Sequence, residues 1–373
     1  MKLTIERAAL LRSLQHAQGV IERRTTIPIL SNVLLKADGG TLSLTATDMD
    51  IAIVERVNCA VAQPGATTVP AQTLFDVVRK LPEGAELEIA SGGEQNQLVV
   101  RCGRSRISLA TLPSEDFPAM SEGELPHGFA MGAKSLCEII DRTRFAMSSE
   151  ETRYYLNGIY IHPAREEDEP KLRIVATDGH RLARVELNLP DGADEMPGVI
   201  VPRKTVGEIR KLIDDAGEEE VGIALSDTKI RVEIATTVLT SKLIDGTFPD
   251  YDRVIPFAND KTLQVDPRNF AKAVDLVSTI ATEKTRAIKL SLDDGSLVLS
   301  ASSPEAGSAE EQLEVEYADG PLEIGFNSRY LLDIAQLIGE DGARFMLSDG
   351  TSPTLVRDNA DPGALYVLMP MRV

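Results

Sequence analysis

One pattern is written three times along this chain. The run from Gly40 through Leu42, Leu44, Ala46 and Thr47 to Asp48 returns from Lys171 through Leu172, Ile174, Ala176 and Thr177 to Asp178. It returns again, more weakly, from Gly295 through Leu297, Leu299 and Ala301 to Ser302. A second phrase keeps the same step: Val69-Pro70-Ala71-Gln72, Val201-Pro202-Arg203-Lys204 and Phe326-Asn327-Ser328-Arg329. Solenoid repeats are only about 20–50 residues long, whereas a step of about 125–130 residues is a whole domain with its own core. The 373 residues therefore divide into three copies, expected at 1–122, 123–254 and 255–373.

Each copy reads as two similar halves, a short strand and one amphipathic helix followed by three strands. In copy one, Leu3–Ile5 leads to a helix over Ala8–Ile21, with Leu11, Leu14 and Ala17 at helical spacing. Strands follow at Asn32–Ala37, Thr41–Thr47 and Ile51–Val57, with Gly39-Gly40 as a hairpin. The second half places a helix over Thr73–Leu81, stopped by Pro82, then strands at Glu86–Ala90, Gln97–Cys102 and Arg106–Leu112. The remaining helices are expected at Lys134–Met147, Lys204–Asp214, Pro267–Thr279 and Ser328–Ile338. Asp266 is the expected N-cap ahead of Pro267. Six helices with single apolar stripes must lie on sheets. The fold class is α+β, three tandem domains, each with two helices on antiparallel sheets. The copies meet in Pro/Gly/acid-rich stretches at 113–128 and 245–260, which carry Phe117-Pro118 and Phe248-Pro249 at matching places.

The cores are aliphatic, since Trp is absent and aromatic residues make up 4%. Three scattered cysteines, Cys59, Cys102 and Cys137, read as reduced thiols rather than a disulfide frame. The start lacks a signal-peptide core, no apolar run reaches a membrane span, and a cytoplasmic location is expected. The net charge of −19 argues on its face against nucleic acid. Its distribution changes that reading. Arg7, Arg12, Arg23, Arg24, Arg79, Lys80, Lys134, Arg142, Arg144, Arg203, Lys204, Arg210, Lys211, Arg268, Lys272 and Arg329 lie on or beside the helices, while acids gather in hairpins and linkers. Helices sharing one face would make it neutral to basic, although Lys/Arg-rich helix surfaces also serve plain solubility.

No catalytic signature stands out. His16, His127, His162 and His180 have no partners at metal-ligand spacing, and there is no phosphate loop or nucleophile elbow. Neither a metal nor a cofactor is expected. The most polar compact cluster, Thr177-Asp178-Gly179-His180-Arg181, falls at a turn between strands, where Asp-Gly is ordinary turn chemistry.

The sets Arg153-Tyr154-Tyr155-Leu156-Asn157-Gly158, Thr177 to Leu182, Val201 to Lys204, Phe248-Pro249-Asp250-Tyr251, Ile324 to Asn327 and Met369-Pro370-Met371-Arg372-Val373 stand in order. Together they make the whole chain resemble the bacterial DNA polymerase III β subunit family, the sliding clamps. The resemblance implies DNA-clamp domains closed into a ring as a head-to-tail homodimer around duplex DNA. It also implies partners: a replicative DNA polymerase, other proteins with clamp-binding motifs, and an ATP-driven clamp loader. Packing geometry agrees with a second chain. Twelve helices side by side at about 9 Å give roughly 34 Å between centres and ~24 Å open, whereas six leave only ~7 Å. A duplex roughly 20 Å across, dense in phosphate charge, passes only through the larger ring.

By resemblance, Arg24, Tyr154, Tyr155 and Lys204 face DNA, with Arg203, Arg79 and Lys80 as weaker members. A peptide groove is implied at Arg153, Tyr155, Leu156, Thr177, Gly179, His180, Arg181, Leu182, Pro249, Arg253, Val254, Val367, Leu368, Met369, Pro370, Met371 and Arg372. In it, Leu182, Val254 and Leu368 form an apolar pocket, and flexible Met369 and Met371 repack around different motifs. The ring joint is expected to pair an edge strand over Arg104–Leu112 with one of copy three. Arg104, Arg106, Ile107 and Leu109 would meet Thr279, Ile280, Glu310 and Glu311. The acidic run of that joint is diluted here, between Pro304 and Glu311. An interaction scaffold that never encircles DNA, or an enzyme built on Thr177–Arg181, are the rival readings.

Overall fold

The computed structural model describes residues 1–22, 26–91, 96–121, 123–166, 169–217, 219–281, 286–339 and 341–372. In copy one, β1 (Lys2–Glu6) leads into α1 (Arg7–Val20), then β2 (Asn32–Asp38), β3 (Thr41–Thr47) and β4 (Ile51–Asn58). An extra strand, β5 (Ala60–Gln63), precedes the second half: β6 (Gly65–Pro70), α2 (Ala71–Lys80), β7 (Glu86–Ser91), β8 (Gln97–Cys102) and β9 (Ser105–Ala110). Copy two runs β10 (His127–Gly132), α3 (Ala133–Thr143), β11 (Gly158–Glu166), β12 (Glu169–Thr177) and β13 (Arg181–Asn188). Its second half is β14 (Val199–Pro202), α4 (Arg203–Ala216), β15 (Glu220–Leu225), β16 (Lys229–Ile234) and β17 (Thr237–Lys242). Copy three runs β18 (Lys261–Val265), α5 (Pro267–Ser278), β19 (Ala287–Asp293), β20 (Ser296–Ser303) and β21 (Gly307–Glu314). It closes with β22 (Leu322–Asn327), α6 (Ser328–Ala335), β23 (Ala343–Leu347), β24 (Thr354–Asp358) and β25 (Ala364–Leu368).

The half-unit plan of strand, helix and three strands thus recurs in all three copies, with β5 the one addition among the described residues. Several ends differ from the sequence reading. The second helix begins at Ala71 rather than Thr73, because Pro70 is tolerated just ahead of a first turn. The third stops at Thr143, whose hydroxyl donates to Ile139 O at 2.7 Å, and a 3₁₀ turn, Arg144–Ala146, replaces its expected last turn. The sixth ends at Ala335, not Ile338. Asp266 does cap α5, accepting from the Asn269 N–H at 2.7 Å with Pro267 in the first turn. Gly39 and Gly40 take φ of 55° and 84°, the left-handed region that a tight hairpin requires.

The backbone groups into two units. The first holds Met1–Cys137, Pro190–Pro197 and Lys204–Leu243, and the second Glu138–Leu189, Gly198–Arg203 and Ile244–Val373. In the first unit one sheet is ordered β5-β1-β7-β8-β9 and another β10-β15-β16-β17-β4-β3-β2-β6. In the second unit the orders are β14-β11-β12-β13-β25-β24-β23-β18 and β21-β20-β19-β22. The longer sheets run from one copy into the next. The last strand of a first half pairs antiparallel with the last strand of the following copy's second half: β4 with β17, and β13 with β25.

Apolar side chains alternate along the strands and face the helices. Leu10, Leu14, Ala17 and Val20 of α1 are buried at 2% exposure or less, with α1 packed on β3, β4 and α2. In the second unit α5 lies on β19, β20 and β21 beside α6. Each such leucine or valine side chain contributes about 1.5–3 kcal/mol when fully withdrawn from water. No helix among the described residues is long and apolar enough to cross a membrane.

Candidate peptide groove and nucleic-acid face

The β12–β13 turn is built by its own side chains. Thr177 Oγ1 donates to Arg181 O at 2.7 Å and accepts from the Gly179 N–H at 3.1 Å. Asp178 Oδ1 accepts from the N–H groups of His180 and Arg181 at 2.9 and 3.0 Å. The β3–β4 turn repeats this scheme residue for residue. Thr47 Oγ1 donates to Ile51 O, and Asp48 Oδ1 accepts from the N–H groups of Asp50 and Ile51. The φ of Met49 is 80° and that of Gly179 is 88°. Glycine matters in copy two, because a Cβ on Gly179 would stand 2.6 Å from an Arg153 Nη1. Arg153 lies across the turn and donates twice to Glu150, at 2.9 and 2.6 Å. That pair holds the Glu150 carboxyl below its ordinary range, chiefly through the hydrogen bonds from Arg153.

Strand alternation sorts the expected groove residues onto two faces. Leu182 and Val367 are cross-strand partners, and they join Leu156, Val175, Ile200, Phe248, Tyr251, Leu355 and Leu365 in one buried cluster. Tyr155, Tyr160, Ile244, Ile255 and Met346 pack on its margin. Arg181 and Leu368, one residue along, are also partners, and period two turns them to the opposite face. Leu368 is wholly buried there, which corrects its expected place in an apolar pocket with Leu182 and Val254. Arg181, 8% exposed, has its guanidinium 5.0 Å from the Phe145 ring and 4.2 Å from the Tyr330 ring. It is also ion-paired to Asp178 at 3.1 Å and Asp333 at 2.5 Å. It ties β13 to α6 through Tyr330 and Asp333.

What remains open to solvent is a rim. His180, Pro249, Arg253, Val254, Met369 and Arg372 are exposed, and Arg153, Tyr155, Thr177, Pro370 and Met371 are half-exposed. The chain end is fixed along this rim by Met369 N–H to His180 O at 2.9 Å and Met371 N–H to Gly325 O at 2.8 Å. Sequence reasoning missed Ile200, Phe248, Ile244, Tyr160 and Met346. Phe248 carried a signal, the Phe-Pro shared with Phe117, and both rings are 8% exposed.

Beneath the rim lies a stacked column. Tyr160 stacks on Phe248 at 4.8 Å and on His162 at 4.7 Å. His162 Nδ1 sits 2.9 Å from Pro163 O, a pure acceptor, so Nδ1 carries the proton and Nε2 accepts from the Tyr251 hydroxyl at 2.8 Å. Arg173, bonded to Glu186, and Arg184 stand on the other side, with Asp252 at 3.7 and 3.9 Å from their guanidinium nitrogens. Burial first, and the two arginines after it, push the His162 pKa below its ordinary 6.5, against Pro163 and Asp252, which raise it. The sign of the linkage follows. Below pH 6.5 the unfolded chain takes up a proton that the native imidazole refuses, so stability falls as pH drops from 6.5 toward the native value. His162→Gln is expected to remove that component. Urea midpoints measured across the window for both proteins check it, and parallel slopes would contradict it.

Among the residues expected to face DNA, Arg24 lies outside the described residues. Tyr154 is 53% exposed and meets Tyr155 edge-on at 5.8 Å. Lys204, half-exposed, is already committed to Asp48 at 2.5 Å and to Val20 O at 2.8 Å, the carbonyl that ends α1. Arg203 donates to Met147 O at 2.6 Å, Arg79 pairs with Asp76 at 3.1 Å, and Lys80 is exposed at the end of α2. Arg210 is likewise bonded to Asp214, and Lys211 to Glu208 at 2.7 Å. Much of the helix-borne positive charge is thus answered within the chain. Among the described residues no group of three metal-ligating side chains is found.

The expected joint residues divide between the units. Arg104, Arg106, Ile107 and Leu109 lie in the β8–β9 hairpin, and among the described residues β9 pairs with β8 alone. Glu310 and Glu311 lie on β21, which pairs with β20 alone, and Thr279 and Ile280 follow α5. β9 spans Ser105–Ala110, shorter than expected.

The N-terminal, central and C-terminal domain families of the DNA polymerase III beta subunit match residues 1–121, 130–250 and 252–372. The beta sliding clamp of Caulobacter vibrioides is 53% identical over 373 residues, and that of Escherichia coli K12 is 41% identical over 376. Both alignments cover 100% of each chain. A Caulobacter crescentus beta sliding clamp crystallised with polyethylene glycol superposes with a TM-score of 0.98 at 53% identity, covering 100% of this chain and 99% of that one. A Bartonella birtlesii sliding clamp bound to griselimycin gives 0.97 at 49% identity, covering 100% of each.

Proposed function

The chain belongs to the bacterial DNA polymerase III beta subunit family, the beta sliding clamps, and from that premise we propose that two copies close head-to-tail around duplex DNA and tether replication proteins to it. In this reading the chain acts by enclosure and supplies no catalytic group. The domains are taken as 1–122, 123–254 and 255–373, and the ring works in the cytoplasm with a polymerase, other motif-bearing proteins and an ATP-driven loader.

The observation that carries the closed ring is the strand pairing at the copy junctions. β4 meets β17 and β13 meets β25, each through five residue pairs. The rule leaves one strand of each kind without a mate, β21 of copy three and β9 of copy one. A second chain supplies both. The internal junctions also set the register. Ile53 with Leu239, and Ala183 with Tyr366, correspond to Ala309 with Ile107. By the same step Ser308 faces Ser108, and Glu310 faces Arg106. Leu239, Ile53, Tyr366 and Ala183 are 2% exposed or less, whereas Ile107 and Ala309 remain half-exposed in the single chain. Two unsatisfied edges with apolar centres and opposite charges at Arg106 and Glu310 are what a second copy covers.

The DNA-facing set is proposed as Arg24, Tyr154, Tyr155 and Lys204, with Arg203, Arg79 and Lys80 beside them. Because Lys204 and Arg79 already answer carboxylates, attraction to phosphates is weak, which suits sliding. Partner peptides are proposed to dock over the cluster that holds Leu182 and Val367, against the rim of Arg153, His180, Val254 and Met369. The test is retention on nicked circular DNA after loading with clamp loader and ATP. A surface binder with six to ten phosphate contacts loses about 10³–10⁵ in affinity between 50 and 200 mM salt. A closed ring is expected to stay on the circle at high salt and leave when the circle is cut. Salt-sensitive binding indifferent to cutting would overturn the enclosure reading.

A further inference from the structure

We propose that Phe257 is a second anchor for partners seated in the groove, receiving an aliphatic or aromatic side chain from the partner segment that flanks the docked peptide. This rests on the groove being a peptide site. Phe257 is 100% exposed, whereas each of the other eight phenylalanines is buried or half-buried. It is displayed by a tethered segment. Ile255 packs against the margin of the groove cluster, and its N–H bonds Asp252 O at 3.3 Å. Pro256 restricts the next φ. Asn259 then donates to Met346 O and Pro353 O at 2.7 and 3.0 Å, just before β18 pairs with β23. Between two fixed ends, the ring points to solvent.

Its neighbourhood says what covers it. Phe257 lies three positions on from Val254 of the rim, so their Cα atoms lie within about 11 Å. Of the eight large apolar side chains exposed among the described residues, Tyr154, Val254, Phe257 and Met369 belong to segments that form or adjoin this groove. Single exposed apolar residues are ordinary on a protein surface, but a group continuous with a docking site extends that site. A short peptide filling the groove ends before Phe257; the chain that continues from it passes over the ring.

Overlapping peptides from the same organism's replicative polymerase supply the probe. One that binds wild-type protein and fails on Val254→Asp is trimmed to its shortest binding form, and parent and trimmed peptides are titrated by fluorescence anisotropy. The parent is expected to bind wild-type protein about tenfold more tightly than Phe257→Ala, while the trimmed peptide binds both alike and Phe257→Leu recovers most of the difference. Equal affinities of the parent for wild-type and Phe257→Ala protein would overturn the proposal. So would a fall in native mass on Phe257→Ala, which would assign the ring to a self-contact. If no peptide binds wild-type protein, the groove reading itself fails and the anchor falls with it; a trimmed peptide that still binds separates the two failures.

Discussion

Ile107→Asp is expected to leave a folded monomer where the wild-type chain forms a dimer. Ile107 sits at the centre of β9 and is half-exposed in the single chain, so a carboxylate there is solvated in the monomer and strains nothing. In the closed joint its counterparts are Leu239 and Tyr366, which are 0% and 1% exposed. An aspartate at such a place faces Ala309 and finds no cation, and an unpaired buried charge costs several kcal/mol. About 4 kcal/mol would weaken each joint roughly a thousandfold. The charge pair matters less. Arg106 and Glu310 are both exposed in the single chain, and surface pairs contribute about 0–1 kcal/mol. Arg106→Glu should therefore only raise the dissociation constant, and Glu310→Arg in the same chain should restore it. The register is checked by Ser108→Cys with Ser308→Cys, which should join two chains at both joints under oxidation. Native mass spectrometry reads the two charge and apolar tests and a denaturing, non-reducing gel reads the cross-link; an unchanged dimer mass for Ile107→Asp would remove this joint.

The two-half plan of each copy was legible because alternation and helical spacing are local. So was the β12–β13 turn, where Thr177, Asp178 and Gly179 act on neighbours two to four residues away. The partner strand of a terminal hairpin was not legible. Nothing in Ile51–Asn58 names Thr237–Lys242 as its mate, because any apolar alternating edge fits any other. For the same reason the sequence names no partner for Lys204. Its carboxylate, Asp48, is 156 residues away, and only the fold brings α4 to the end of α1. The motif as a whole puts Arg181 and Leu368 in the groove with Leu182 and Val367, whereas period two turns them to the other face.

Val254→Asp is expected to abolish partner-peptide binding while leaving the fold and the dimer intact. Leu182, Val367 and Leu156 are 4% exposed or less, so changing them would open a cavity beneath the sheet and confound binding with stability. Val254 is 46% exposed at the end of the 3₁₀ turn Tyr251–Val254. That turn is held from below by the Tyr251–His162 hydrogen bond, and Arg253 beside it is already paired with Asp250 at 2.7 Å. A carboxylate at this position stays hydrated in the unbound protein. When a peptide covers it, the same carboxylate is desolvated against apolar side chains, at about 3 kcal/mol or more, equivalent to at least about a hundredfold in affinity. Because the joint strands β9 and β21 contain neither Val254 nor its turn, native mass should not change. Peptide anisotropy and native mass on the one variant decide the matter. Loss of binding with an intact dimer assigns the rim a docking role, whereas undiminished peptide affinity would show that partners engage some other surface.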